Sequence, residues 1–267
     1  MAIKYNESLS TLPSTLLSAT EPAAVETVNE QGRSDLVLVC DHASNRVPAC
    51  LNNLGLSDAQ LADHIGWDPG AAAVARMLAQ QLDAPLLLSG YSRLVIDCNR
   101  PLASSELIPE QSAGVIIPGN QNLSAQARDE RIHNLFIPYH QTIENLLDNR
   151  LHKHPQRPLI FLSIHSFTPF LFNQQRPWHI GVAHKSDDRF AKNLYNALTQ
   201  QDDIIVGFNQ PYPIEDAFDY SIPTHGEARG IPSAMIEIRQ DGLTTQTGIE
   251  CWAERIARAY CAIDSPY

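Results

Sequence analysis

The chain has 267 residues and no run of about 18 apolar ones, so no stretch of it reads as a transmembrane helix. It has no Cys-x-x-Cys pair. Its five cysteines, Cys40, Cys50, Cys98, Cys251 and Cys261, are scattered and odd in number. That excludes a cysteine zinc site and a disulfide framework and fits reduced thiols, with Cys40 and Cys98 acting as small hydrophobes in apolar runs. Positive charge is scarce. Nineteen Lys and Arg against 30 Asp and Glu leave a net charge of −11, whereas a nucleic-acid partner needs a basic face. There is no phosphate-binding P-loop, no G-x-G-x-x-G after a strand and no G-x-S-x-G, so nucleotide enzymes and serine hydrolases fit poorly. No internal repeat is present. Residues 1–32 lack the continuous apolar stretch of a secretory signal. The expectation is a cytoplasmic protein with no membrane or nucleic-acid partner; no oligomeric state follows from the sequence.

What is present is an alternation. Residues 1–34 are rich in Ser, Thr, Glu and Asn without a period and read as an irregular arm, with room for one short helix. From residue 35 to 267 strand and helix signals alternate. Strands are expected at 36–40, 85–90, 93–98, 158–165, 178–184, 203–208 and 233–239. Helices are expected within 58–66 and 69–83, over 125–153 with Ser124 as its cap and Pro138 kinking it, near 187–201, and over 248–263. Asp68 before Pro69 reads as an N-cap followed by proline at the first helical position. Two long Pro- and Gly-marked loops, 101–123 and 211–232, are of a length that is usually functional. The expected fold is a single three-layer α/β domain with a mostly parallel or mixed central sheet and helices on both faces.

Ligands in such sheets bind at the carboxyl ends of the strands, so the polar residues there are the candidates. The first strand runs into Asp41, His42, Ser44, Asn45 and Arg46. The 93–98 run ends in Asp97, Asn99 and Arg100, the 158–165 run in His165 and Ser166, and the 233–239 run carries Glu237 and Arg239. His42 and His165 are the best metal-ligand pair, since zinc takes neutral imidazole and an oxygen ligand and keeps one position for water. Ligands to one ion must bring their nitrogens within about 5 Å of each other. Asn45 is a third ligand through its amide oxygen, with Asp68 as the charged alternative. Glu237, a carboxylate in an apolar strand, is either a general base or the salt-bridge partner of Arg239, which shares its face. Arg100 offers a planar fork to a substrate carboxylate, and Arg93 is a second cation or a surface residue. In an acidic protein, arginines aimed into a site imply a small acidic substrate.

Taken together, CDHASNRVP, GWDPGA, SRLVIDCNRP, SIHSFTP and THGEARGIPSAMIEIRQD resemble the N-formylglutamate amidohydrolase family, in this order and over about residues 35–260. That family is similar in fold to zinc carboxypeptidases and aspartoacylases, which have a His-x-x-Glu turn, an Asn-Arg pair, a later His and a catalytic Glu on a late strand. The resemblance implies His42 and His165 as zinc ligands and Asn99 and Arg100 as the pair gripping the substrate carboxylate. It implies Arg93 as a catalytic arginine and Glu237 as the catalytic glutamate. It also puts the loop residue His225 near the site, where it either contacts substrate or is an ordinary loop histidine. The chain departs from the pattern at Asn45, where carboxypeptidases have Glu. The implied activity is metal-dependent hydrolysis of an N-acyl amino acid, N-formyl-L-glutamate before others, with a divalent metal, zinc, as cofactor. The rivals are another N-acyl amino acid deacylase, a carboxypeptidase-like hydrolase, and a non-catalytic binding protein with a decayed metal site.

Overall fold

The computed structural model describes residues 16–153 and 155–263. Seven strands form one sheet: β1 (Val25–Val28), β2 (Leu36–Cys40), β3 (Leu86–Ser89), β4 (Ile160–Phe167), β5 (Ile180–Ala183), β6 (Val206–Phe208) and β7 (Ser233–Arg239). Their order is β1-β3-β2-β4-β7-β5-β6. The central four, β3, β2, β4 and β7, are parallel; β1 and β5 pair antiparallel with β3 and β7, and β6 runs parallel with β5. Two two-stranded hairpins lie outside this sheet, Gln111–Ser112 with Val115–Ile116 and Phe170–Leu171 with Gln174–Gln175.

Strand periodicity explains how the sheet is covered. Side chains two apart share a face. Leu36, Leu38, Ile160, Leu162, Ile164, Ala234, Ile236 and Ile238 all enter one core cluster with residues of helices α2 (Ala71–Gln81), α5 (Arg189–Leu198) and α6 (Gln246–Cys261). The odd-numbered Val37, Val39, Phe161 and Met235 enter a second cluster with Tyr139, Ile143 and Leu147 of α4 (Ile137–Lys153). Helices thus cover both faces of a mixed sheet, and two shorter ones, α1 (Asp58–Ala62) and α3 (Ala125–Arg131), lie in the connecting segments. The odd-numbered stripes are apolar at first and then turn polar, at Asp41, Ser163, His165 and Glu237, and this change places the site at the carboxyl end of the α4 face.

Several expectations are corrected. Val25–Val28, inside the stretch expected to be irregular, forms the edge strand β1 on β3; residues 1–15 of that stretch lie outside the described residues. The expected strand at 93–98 is a chain of tight turns. Ser92 Oγ accepts from the Leu94 amide at 3.1 Å and donates to the Gly66 carbonyl at 2.6 Å, and the Ser92 carbonyl accepts from the Val95 amide at 2.9 Å. With β1 and β2 already flanking β3, no strand edge is open there. Leu94, Val95 and Ile96 instead fill a third cluster with Leu54, Leu107, Ile117 and Phe136. The helix that Ser124 caps is interrupted by a wide turn over Ile132–Phe136, just ahead of Pro138, whose missing N–H and ring disfavour a regular turn. Asp68 does not cap α2. Gly70, at φ 82°, is the capping position, and the Asp68 carboxylate turns into the site.

Gly70 is required twice, for its left-handed backbone and because a Cβ there would lie 2.4 Å from Leu243 Cβ. Gly114, also at φ 82°, has nothing within 4 Å of such an atom. Gly114→Ala is therefore expected to cost only the backbone strain, about 1–2 kcal/mol, and Gly70→Ala roughly twice that or more, since the neighbouring core must also shift. Urea denaturation of the two variants measures the difference; equal losses would show that Leu243 yields without cost.

Candidate active site

Asp41 and His42 leave β2 at its carboxyl end, His165 sits in β4, and Glu237 is its register partner in β7. Asp68 arrives from the turn before α2, its amide donating to the His42 carbonyl at 3.0 Å and its Oδ2 accepting from the Ser166 amide at 3.3 Å. His42, Asp68 and His165 are all buried, and one potential ligand atom from each lies within 4.8 Å of the others, inside the span the sequence reading required.

The hydrogen bonds assign the faces of both rings. His42 Nε2 donates to Asp97 Oδ1 at 2.7 Å, which leaves Nδ1 as the lone-pair nitrogen, 3.3 Å from Asp68 Oδ2 and 3.2 Å from Arg93 Nη1. His165 Nε2 is held by Asp41 Oδ2 at 3.0 Å and Ser163 Oγ at 2.9 Å, and its Nδ1 is 2.8 Å from Asp68 Oδ2. Both imidazoles thus turn Nδ1 to one carboxylate and back their Nε2 onto another. A histidine that binds a metal is held in this manner, its far nitrogen donating to an acid that fixes the tautomer. The donor set of two imidazoles and a carboxylate suits zinc and other divalent metals.

The electrostatics follow from burial. Burial alone would raise the Asp41 carboxyl, but the His165 hydrogen bond and charge outweigh it and hold Asp41 well below the usual range. Asp68 is likewise held down, against burial, by His42 and His165, and Asp97 by Arg93, His42 and Arg100. Burial would lower His165, but its bonds to Asp41 and Asp68 raise it well above an ordinary histidine. For Glu237 the balance is reversed, burial outweighing the favourable charges of His165, His42 and Arg93. Its Oε2 is buried without a hydrogen-bond partner, and desolvation pushes its carboxyl up to about 7. The salt bridge with Arg239 does not form: Arg239 Nε bonds Asp241 at 2.9 Å and its Nη1 the Arg176 carbonyl at 3.0 Å.

These groups open on a pocket of about 390 Å³ lined by His42, Asp68, Arg93, Arg100, His165, Arg176, Tyr212 and Glu237, among others. Arg93 is pinned to Asp97 at 2.7 Å. Arg100 donates to the Phe218 carbonyl, and its Nε is buried without a partner. The other expectations fare differently. Asn99 lies in the pocket wall, but its amide is committed to the 211–232 segment: Oδ1 accepts from the Tyr220 and Ser221 amides, each at 3.0 Å, and Nδ2 donates to Asp219 at 3.1 Å. His225 is fully buried away from the pocket lining, 2.9 Å from His140 Nδ1 and stacked on that ring, because the turn Ile222–Gly226 packs it inward. Asn45 is half-buried on the turn after His42 and does not line the pocket; the carboxylate between the two imidazoles is that of Asp68. Asp97 and Asp41 stood in the sequence as polar strand ends without a role. Arg176 and Tyr212 gave no signal, since neither follows an apolar run.

Such a cluster at the carboxyl ends of the strands stands where α/β enzymes hold their active sites. A sequence model of the family described as N-formylglutamate amidohydrolase matches residues 34–244, and the chain belongs to that family, as an amidohydrolase. It is similar to the solved structure of gene product Atu2144 from Agrobacterium tumefaciens, with 34% identity over 94% of this chain and 100% of that one and a TM-score of 0.87. It shares its fold with the N-formylglutamate amidohydrolase from Ralstonia eutropha, with 17% identity over 89% of this chain and 96% of that one and a TM-score of 0.65. No curated protein matches it. Among the described residues no helix is long and apolar enough to cross a membrane.

Glu237 yields a stability prediction. A carboxyl raised in the folded state favours folding below its unfolded pKa, and that contribution is lost as pH rises through the folded value. The window here runs from about 4.5 to about 7. In chelator-treated protein, Glu237→Gln should melt near the wild type at pH 5 and above it at pH 8, by on the order of 2 kcal/mol. A variant less stable at pH 8 would mean that the carboxylate is paired after all.

Proposed function

We propose that this protein hydrolyses the amide bond of N-formyl amino acids, N-formyl-L-glutamate foremost, giving formate and the free amino acid, with a zinc ion held by Nδ1 of His42, Nδ1 of His165 and the carboxylate of Asp68. One observation carries the reading: two imidazoles, each backed at Nε2 by an acid, turn Nδ1 to one buried carboxylate, beside a second carboxylate, Glu237, that has an unpartnered oxygen. Asp68 supplies the charge that Asn45 lacks, so the departure at Asn45 does not leave the site short of a ligand.

When bound, the metal supplies Lewis-acid polarisation of the formyl carbonyl and eases ionisation of water. The chain's own groups do the rest. Arg100, with its free Nε, takes the substrate's α-carboxylate. Glu237 removes one proton from the attacking water as the new C–O bond forms and delivers it to the amide nitrogen as the C–N bond breaks. A carboxyl near 7 is poised for both transfers. Arg93, whose Nη1 is 3.2 Å from His42 Nδ1, stabilises negative charge developing on the carbonyl oxygen. Asn99 positions the 211–232 segment and does not touch substrate.

The test is turnover of N-formyl- and N-acetyl-glutamate, with zinc removed and restored. Glu237→Gln should keep its zinc and lose about 10²–10⁴-fold in kcat, with kcat/KM of the wild type rising with pH as Glu237 ionises. Asp97→Asn should bind zinc about 10–100-fold more weakly, because the acceptor that orients His42 loses its charge. Full activity after zinc removal would end the metal assignment. Turnover of acetyl or longer acyl substrates in place of the formyl one would replace formate as the product.

A further inference from the structure

Arg176 lies in the wall of the same pocket, in the segment between β4 and β5, and is 5% exposed. Its guanidinium carbon is 5.4 Å from the Phe167 ring centroid and 4.9 Å from that of Tyr212. Its Nη2 donates to the Tyr212 hydroxyl at 2.6 Å, and its Nη1 reaches the Thr168 carbonyl at 3.4 Å. Among the described residues no carboxylate forms an ion pair with it. Arg131 shows what a buried structural arginine looks like in this chain. Its guanidinium donates to the Val95 carbonyl at 2.9 Å, Asn120 Oδ1 at 2.7 Å and the Gly119 carbonyl at 3.2 Å, away from the pocket. Arg176 has one short bond and two aromatic faces.

An arginine stays charged in any protein, and a buried charge without a counter-ion is costly. Aromatic faces offset part of that cost and hold the plane of the group, leaving its edge for an anion. Arg100 and Arg176 come from separate segments and are held by separate partners, Phe218 for one and Tyr212 with Thr168 for the other. Of the three arginines in the lining, Arg93 is spent on Asp97 and His42; the pocket therefore offers two further forks, and one α-carboxylate uses one of them.

We propose that Arg176 is a specificity-determining residue that binds a second anionic group, a carboxylate at the end of the substrate's side chain, so that the enzyme selects N-acyl derivatives of acidic amino acids over neutral ones. This rests on the hydrolytic reading of the site given above.

The experiment compares kcat/KM on N-formyl-glutamate and N-formyl-glutamine, which are isosteric and differ in the distal charge. The wild type should prefer the acid by about 10²-fold, the usual worth of a buried charge pair. Arg176→Gln should abolish the preference by losing activity on the acid alone, and Arg176→Lys should retain part of it; melting temperatures confirm folding, and the Lys variant serves if the Gln variant fails to fold. Equal wild-type rates on both substrates, or equal losses on both in the variants, overturn the assignment and leave the hydrolytic reading standing. A wild type inert on both overturns the hydrolytic reading instead, and calorimetry with glutarate then decides Arg176 alone. Glutarate binding that weakens at least about tenfold in the variant supports it; equal binding to both proteins, or none, overturns it.

Discussion

The carboxylate of Asp41 is the constraint on which the site depends. It is 1% exposed, and its two oxygens take four hydrogen bonds. Oδ1 accepts from the Tyr139 hydroxyl of α4 at 3.0 Å and from Ser221 Oγ in the 211–232 segment at 2.6 Å. Oδ2 accepts from Ser163 Oγ at 2.8 Å and His165 Nε2 at 3.0 Å, both on β4. One buried charge thus joins the sheet, the helix that covers it and the loop that roofs the pocket. A charge at such depth persists only when every lone pair is met. Those donors in turn fix the His165 ring, and through it the position that Asp68 must take.

The two faces of the sheet divide the work. On the α2, α5 and α6 side, the even-numbered residues of β2 and β7, and those of β4 as far as Ile164, are apolar, and the core there is continuous. On the α4 side, Phe161, Ser163 and His165 show the change within a single strand. The layer gives up hydrophobic burial over its last turns and replaces it with hydrogen bonds between charged groups. Such bonds are directional, whereas apolar contacts are not, so the replacement holds atoms at defined distances.

That division also explains what was legible in the sequence. The pattern of an apolar run followed by a polar cluster located Asp41, His42, His165 and Glu237, because strand ends in parallel sheets converge and each cluster could be read locally. Residues 93–98 carry the same pattern and are not a strand; apolar periodicity reports burial, and here the burial is in a turn-built cluster under the pocket. Asp68 looked like a helix cap because capping residues and buried carboxylates are the same residue types, and only the fold shows which way the side chain turns. The resemblance puts His225 near the site, as a substrate contact or an ordinary loop histidine, and the loop folds inward around it and buries it against His140. Arg176 was invisible: its role depends on Phe167 and Tyr212, brought to it from 9 and 36 residues away in sequence.

The acids in and beneath the pocket are separated by their surroundings into different protonation states, and this separation assigns their roles. Asp41, Asp68 and Asp97 each face an imidazole or a guanidinium and stay ionised as acceptors. Glu237 and Asp219 are raised by burial. Of these two, Asp219 has both oxygens occupied, by Asn99 Nδ2 at 3.1 Å and by the Glu215 amide at 2.9 Å, so taking a proton there breaks an existing bond. Glu237 keeps Oε2 free within the same low-dielectric wall. A carboxylate that is desolvated and unpartnered gains more from accepting a proton than one already satisfied, and it needs no reorganisation to do so. Under the proposed function, the sheet register that sets Glu237 beside His165 therefore favours it, rather than Asp219, as the group that exchanges protons with a bound reactant.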